Sequence, residues 1–390
     1  MAPEKLFQRA LEILRTLVRI DSVNPSLVPG SAGEKEIAEF LFSFFEAEGI
    51  EVQLQTVAPN RFNVVAKVTG AHAGSRILLN GHLDTVSVEG MDSPFDPVEE
   101  RGRIYGRGAQ DMKGGLAAAI AALLALSHHR DQWGGEVVLA AVVDEEDQSL
   151  GTQFFLNHWP KENPFQFGLI MEPTDLKVCS AHKGFAWLEV TTQGVAAHGS
   201  RPQEGVDAIR AMGQVLQELD ALDIRLQSGA SHPILGFASL HASIIQGGRE
   251  WSSYPDRCLL KYERRTLPDE SNDQLEGELN VILKKLSRLD PQFRSHGRLV
   301  CARTPFEVDR SNPVLQGFFE TAHSLLPDLV EWGSATFWTD AALLAEAHIP
   351  SLLFGPRGAG LHSLQEYVFA SDVVSCAEII YEFVRRQSPP

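Results

Sequence analysis

The chain reads as an α/β protein: a mixed, mostly parallel sheet flanked by helices, interrupted by an inserted α+β unit. Three observations predict this. The run Val137 to Val143 is apolar at every position, the pattern of a strand covered on both faces. Further apolar runs at 76–86, 169–174 and 350–355 alternate with helical periodicities, as a parallel sheet under helix layers requires. From about Ser180 to Arg303 the style changes to polar/apolar alternation in the order β-α-β-β-α-β, which describes a small antiparallel sheet covered on one face. The expected division is 1–179 and 305–390 as the two parts of one domain, with 180–304 inserted between them.

Taken in order, residues 4–20 place Leu6, Ala10, Leu14 and Leu17 on one helical face. Ser22-Val-Asn-Pro25 breaks that helix. A second amphipathic helix over about 34–48 presents Ile37, Phe40, Leu41, Phe44 and Phe45 and stops at Gly49. Short strands follow at 52–55 and 63–68, then the strand 76–86. Gly106-Arg-Gly-Ala-Gln-Asp-Met-Lys-Gly-Gly115 is a glycine-rich loop opening a helix over 116–126 that is almost all Ala, Leu and Ile, hence buried. Strands 137–143 and 169–174 complete the first part. The insert supplies strands at 185–192, 238–245, 257–266 and near 298–302, separated by helices at about 206–222 and 275–289. The first style then returns with helices at 313–325 and 341–347, a strand at 350–355 and a closing helix at 371–385.

Composition narrows the function. Hydrophobic residues at 44% and charged residues at 22% over 390 positions describe an ordinary globular protein. A formal net charge of −17 argues against a nucleic-acid or anionic-membrane partner. No run approaches the length a membrane span needs, and the N-terminus has no apolar signal core. Cys179, Cys258, Cys301 and Cys376 are far apart with no CxxC pair, which predicts a reducing, cytoplasmic location. The glycine loop lacks the Gly-Lys-Ser/Thr ending of a phosphate loop, and Asp111 stands where a dinucleotide fingerprint needs its third glycine. There is no Gly-x-Ser-x-Gly elbow.

The chemistry gathers at strand ends. The strand 137–143 runs straight into Asp144, Glu145, Glu146 and Asp147; its neighbours end at His82 and Asp84 and at Glu172. Asp111 lies in the glycine loop, and His362 follows the strand at 350–355. Ligands in open α/β sheets sit outside the carboxyl ends of strands, so these residues share one edge. Two histidines and three carboxylates make a first shell for two divalent cations, zinc before cobalt or manganese. Carboxylates crowded there without cations would be unstable or strongly shifted in pKa. His82 and Asp84, two apart on an extended chain, point the same way. Glu145 and Glu146 can share one site only if the strand ends there.

The motifs Asn80-Gly-His-Leu-Asp-Thr-Val, Gly106-Arg-Gly-Ala-Gln-Asp-Met-Lys-Gly-Gly, Asp144-Glu-Glu, Met171-Glu-Pro-Thr, Ala197-His-Gly-Ser-Arg-Pro and Gly360-Leu-His-Ser resemble, in order, those of the M20 metallopeptidase and amidohydrolase family. The resemblance implies that His82 and Glu172 hold one metal, Glu146 and His362 the other, and that Asp111 bridges both. Asp84 would fix the tautomer and orientation of His82. Glu145 would be the general base that takes a proton from the attacking water and returns it to the leaving amine. In the insert, His198 would stabilise the oxyanion, and Arg265 would grip a substrate carboxylate. Arg264, on the opposite strand face, is expected to be solvated. Where the family pattern has an asparagine before Val-Pro-Asp, this chain reads Trp251-Ser-Ser-Tyr-Pro-Asp256. The implied activity is a two-metal hydrolase cleaving an amide next to a free carboxylate. An N-acyl-amino-acid deacylase of the acetylornithine deacetylase or succinyl-diaminopimelate desuccinylase type comes first; a carboxypeptidase or dipeptidase on the same site is the alternative. The substrate is a small N-acyl amino acid or short peptide, the insert serves as lid and dimerisation domain, and the assembly is a homodimer.

Overall fold

The computed structural model describes residues 2–387 and divides the chain into two compact units. The first comprises the chain up to Ser180, Val308–Ser334 and the chain from Thr339; the second comprises Ala181–Glu307 and Ala335–Trp338. The segment 335–338 joins the insert for a local reason. Trp338 Nε1 donates to the carbonyl of Thr304 at 2.9 Å, and the Arg303 guanidinium lies 5.2 Å from the Trp338 ring centroid.

Four parallel strands occupy the middle of the first unit's sheet, in the order Gly134–Val142, His72–His82, Phe167–Ile170 and Ser351–Leu353. Arg61–Thr69 and Glu51–Ala58 extend it antiparallel at one side. The register puts His82 opposite Val142, Asn80 opposite Ile170, and Leu353 opposite Ile170. The carboxyl ends are therefore flush, and whatever follows each strand meets on one edge.

Apolar side chains alternating along these strands feed both faces. On one face, Ile77, Leu79, Val137, Leu139, Leu169 and Leu352 share a core with helices Pro3–Arg19, Lys35–Ala47, Gly114–His128, Pro313–Leu325 and Ala370–Gln387. Helices Leu150–His158 and Ala341–Glu346 pack on the other. Every residue from Gly114 to Leu126 is buried. With the turn before it, this helix is long and apolar enough to cross a membrane, contrary to the sequence expectation, but 94% of its apolar window is enclosed by the protein.

Its N-terminus can sit this deep because residue 115 is glycine. A Cβ there would lie 1.9 Å from the backbone carbonyl oxygen of Met171. The helix start, and the loop before it, thus press against the strand end that carries Glu172.

The inserted unit holds a four-stranded antiparallel sheet, order Ser239–Gly247, Arg257–Thr266, Gly184–Gln193, Arg294–Arg303. Helices Ala208–Ser228 and Asn272–Leu289 start at Asp207 and Ser271, whose side chains accept from the first free backbone N–H groups. They cover one face, where Leu188, Val190, Leu260 and Tyr262 pack against Met212, Val215, Leu279 and Ile282. Arg264 belongs to this buried face, which corrects its expected solvation. It is 1% exposed and paired with Glu270, with Glu278 3.7 Å away. Strand alternation sets which arginine turns inward, and acids on the helix side make burial tolerable.

Candidate metal centre

Each acidic or imidazole side chain at the edge is placed by the end of a regular element. The strand carrying the acidic turn stops at Val142, and Asp144 adopts φ +70°. That left-handed residue turns the chain, so Glu145 and Glu146 do not continue the strand's alternation and can face the same space. Glu172 lies two residues beyond Ile170. Asp111 sits in the turn Ala109–Lys113 that leads into the core helix, and His362 occupies a loop residue with φ +57°.

The donors converge. His82 Nε2 is 3.1 Å from Asp111 Oδ1 and 3.9 Å from Glu172 Oε1. Asp111 Oδ2 is 3.2 Å from His362 Nε2, which is also 3.2 Å from Glu146 Oε2. The two oxygens of Asp111 thus each face a different histidine. His82, Asp111 and Glu172 form one triad of donor atoms and Asp111, Glu146 and His362 a second, each within 4.8 Å. Glu145 Oε2 stands 4.0 Å from His82 Nε2.

Electrostatics argue that this donor set fits cations. Burial, then the neighbouring Glu172, raises the Glu145 carboxyl well above the usual carboxylate range. Burial and Asp111 do the same to Glu172, and Glu146 is raised by the same two causes. Burial would also raise Asp111, but the imidazoles of His362 and His82 outweigh it and hold Asp111 well below its ordinary value. Hydrogen bonds to Asp111 and Glu146 push His362 up to about 10. Protons on these groups do the neutralising that positive ions bound between them would do better. Two imidazoles and three carboxylates are a donor set suited to zinc, cobalt or manganese.

The supporting shell differs from the sequence expectation at Asp84. His82 Nδ1 donates to the backbone carbonyl of Asp84 at 2.9 Å, while the Asp84 carboxylate is 3.7 Å away. The strand ends at His82, so the extended two-residue geometry does not hold. The Asp84 carboxylate instead accepts from the backbone N–H groups of Glu145 and Glu146, both at 3.2 Å, and from Asn24 Nδ2 at 2.7 Å. It shapes the acidic turn rather than the imidazole.

Other residues at this edge had no sequence signal. Buried Arg61 donates to Asp144 at 2.7 Å, to Asn24 at 3.2 Å, and to Glu34. Asp340 accepts from Thr152 at 2.6 Å, and burial lifts its carboxyl to about 6. Glu366 accepts from the backbone N–H groups of Gly108, Gln110 and Asp111. These partners are separated along the chain by 83, 188 and about 255 residues, and no spacing pattern relates them.

His198 and Arg265 lie in the inserted unit. His198 is exposed, and its Nδ1 accepts from the backbone N–H and the hydroxyl of Ser200, at 3.2 and 2.8 Å. In the neutral ring the proton is therefore on Nε2. Arg265 donates to Glu263 at 2.7 Å and stacks 5.5 Å from the Phe185 ring centroid.

The model of peptidase family M20/M25/M40 matches residues 78–386. The chain belongs to this family. The match extends well beyond the short motifs. An N-formyl-4-amino-5-aminomethyl-2-methylpyrimidine deformylase of Halalkalibacterium halodurans is 26% identical, covering 98% of this chain and 95% of the relative. An acetylornithine deacetylase of Vibrio atlanticus is 28% identical, covering 96% and 98%. A tripeptidase from Staphylococcus aureus superposes with a TM-score of 0.78 at 20% identity, covering 97% of this chain and 98% of that one. A dinuclear metal-binding M20 peptidase from Bacillus subtilis does so with 0.75 at 17%, covering 98% of each. The two structures establish the shared α/β fold with its inserted unit.

Proposed function

We propose that this M20 hydrolase binds two divalent cations, zinc first, and cleaves an amide next to a free carboxylate. His82, Asp111 and Glu172 hold one ion; Asp111, Glu146 and His362 hold the other. The observation that carries this reading is the bridging posture of Asp111, one oxygen toward each histidine. Bound ions supply polarisation of the scissile carbonyl and acidification of the attacking water.

The chain's own residues do the rest. Glu145, with a carboxyl raised by burial and by Glu172, takes the proton from the attacking water and delivers it to the leaving nitrogen. Asp84 holds the backbone of Glu145 and Glu146, and its carbonyl keeps the proton of His82 on Nδ1, which would leave the Nε2 lone pair for a bound cation. His198, protonated on Nε2, donates to the carbonyl oxygen as charge develops there. Arg265 pairs with the substrate carboxylate.

We infer an N-acyl amino acid as the substrate, with a short peptide cleaved by a carboxypeptidase or dipeptidase activity as the alternative. Similarity to an acetylornithine deacetylase supports the first and likeness to a tripeptidase the second, while the deformylase, named for an N-formyl pyrimidine, supports only removal of an N-acyl group. The free state of Cys179, Cys258, Cys301 and Cys376 suits a reducing cytoplasm. A homodimer formed through the inserted unit completes the reading.

The test is a panel of N-acetyl, N-succinyl and N-formyl amino acids and of dipeptides, run with Zn²⁺, Co²⁺ and Mn²⁺ in turn, beside Glu145→Gln. Release of a free amino acid by the native chain is expected. The variant should retain both metals and lose about 10²-fold or more in kcat. Turnover by Glu145→Gln at the native rate would remove the base, and absence of bound metal in the native chain would remove the whole reading.

A further inference from the structure

One buried ion pair outside the proposed ligand set touches three of the segments that carry it. Arg107 and Glu366 are 259 residues apart, 3% and 1% exposed, and joined from Nη1 to Oε2 at 2.7 Å. Glu366 Oε2 also accepts from Gly108 N at 3.1 Å; its Oε1 accepts from Gln110 N at 2.9 Å and Asp111 N at 3.0 Å. The left-handed φ of +79° at Gly108 lets the turn present these N–H groups to one carboxylate. Arg107 spends its remaining donors on two carbonyls. Nε and Nη2 reach Ser87 O at 3.2 and 3.0 Å, and Nη2 reaches Ser363 O at 3.0 Å.

The pair therefore gathers the segment after His82, the turn bearing Asp111 and the loop bearing His362. An isolated buried ion pair is weak support for a fold. This one has a carboxylate with four donors and a guanidinium with three acceptor contacts, so its principal consequence is geometric. The need is greatest on the His362 side. His82 and Glu172 stand at or just beyond strand ends, whereas His362 lies in an exposed loop.

We propose that the Arg107–Glu366 pair is a positioning element that holds Asp111 and His362 at a common distance and so sets the affinity for the second cation. This rests on the two-cation reading above. Neither residue is asked to touch substrate or metal.

The experiment is a titration of the metal-free chain with Co²⁺, followed by calorimetry and by the visible Co²⁺ absorption, for the native chain, Glu366→Gln and Arg107→Lys. The native chain should take up two ions. Each variant should keep its far-UV circular dichroism, still take up a first ion, and bind the second ion ~10- to 100-fold more weakly, with an altered second-equivalent spectrum. Two native-like binding steps in both folded variants would overturn the proposal. So would loss of the fold in both, since the pair would then be structural only. A native chain binding fewer than two ions would instead overturn the two-cation reading, which separates the two failures.

Discussion

At the residue scale, the centre is a set of acids and imidazoles whose protonation is bound to one another. His362 is raised from 6.5 to about 10 by Asp111 and Glu146. Its contribution to stability is present below 6.5 and is lost as pH rises through about 10. Glu145 and Glu172 are raised from 4.5, so above that value the folded state again holds more protons than the unfolded chain, and stability again falls with pH. Asp111 is depressed from 3.8, and its contribution is constant above that value. Buried Lys113, lowered to about 7, acts with the opposite sign above that value, so the coupling is read by difference. From pH 6.5 to 10 the ion-free Tm of the native chain should fall relative to that of His362→Ala, and two equivalents of Zn²⁺ should raise the native Tm most at the alkaline end. Parallel ion-free Tm profiles for the two chains would contradict the coupling. The ligand types and their motifs were readable in the sequence. The carbonyl role of Asp84 was not, because it depends on the strand ending at His82.

At the element scale, the flush ends of four parallel strands and the glycine turn do the assembling. Long apolar runs marked those strands, since a run buried on both faces needs no partner to be recognised. The helix Leu150–His158 was not legible. It is nine residues long, and only Gly151, Thr152 and Phe155 on it are buried, too few to show a period. Strand alternation turned Arg264 inward, and its burial rests on Glu270, in the turn after its strand, and Glu278, on the covering helix, partners that no sequence spacing marks. Gly115→Ala is the element's own test. Its Cβ would meet the Met171 carbonyl, forcing the core helix away from the strand that carries Glu172. A loss of about 3 kcal/mol in urea unfolding is expected, with weakened metal binding. A native midpoint would mean the contact relaxes without cost.

At the scale of the whole molecule, the inserted sheet ends on one side in a strand that is exposed along most of its length. Ser239–Gly247 is an edge strand, exposed from His241 onward, with Ile244 46% and Ile245 53% accessible. Unpaired backbone groups beside apolar side chains invite another strand, and a twofold axis lets the same strand of a second copy supply it. The proposed homodimer is expected to form there. Ile245→Lys should shift the sedimentation coefficient from that of a dimer to that of a monomer while the far-UV circular dichroism is unchanged. A native chain that sediments as a monomer would end this assignment.

The sequence by itself determined the α/β class with its insert, the M20 membership and the candidate ligands His82, Asp111, Glu146, Glu172 and His362. Each of these follows from local pattern: hydrophobic period, turn residues, and short motifs whose spacing is covalent. Only the tertiary structure decided which oxygen of Asp111 faces which histidine, that Asp84 serves the acidic turn, and that Arg61, Asp340 and the Arg107–Glu366 pair stand behind it. Those contacts join residues scores to hundreds of positions apart, and their geometry exists only once the strands are in register.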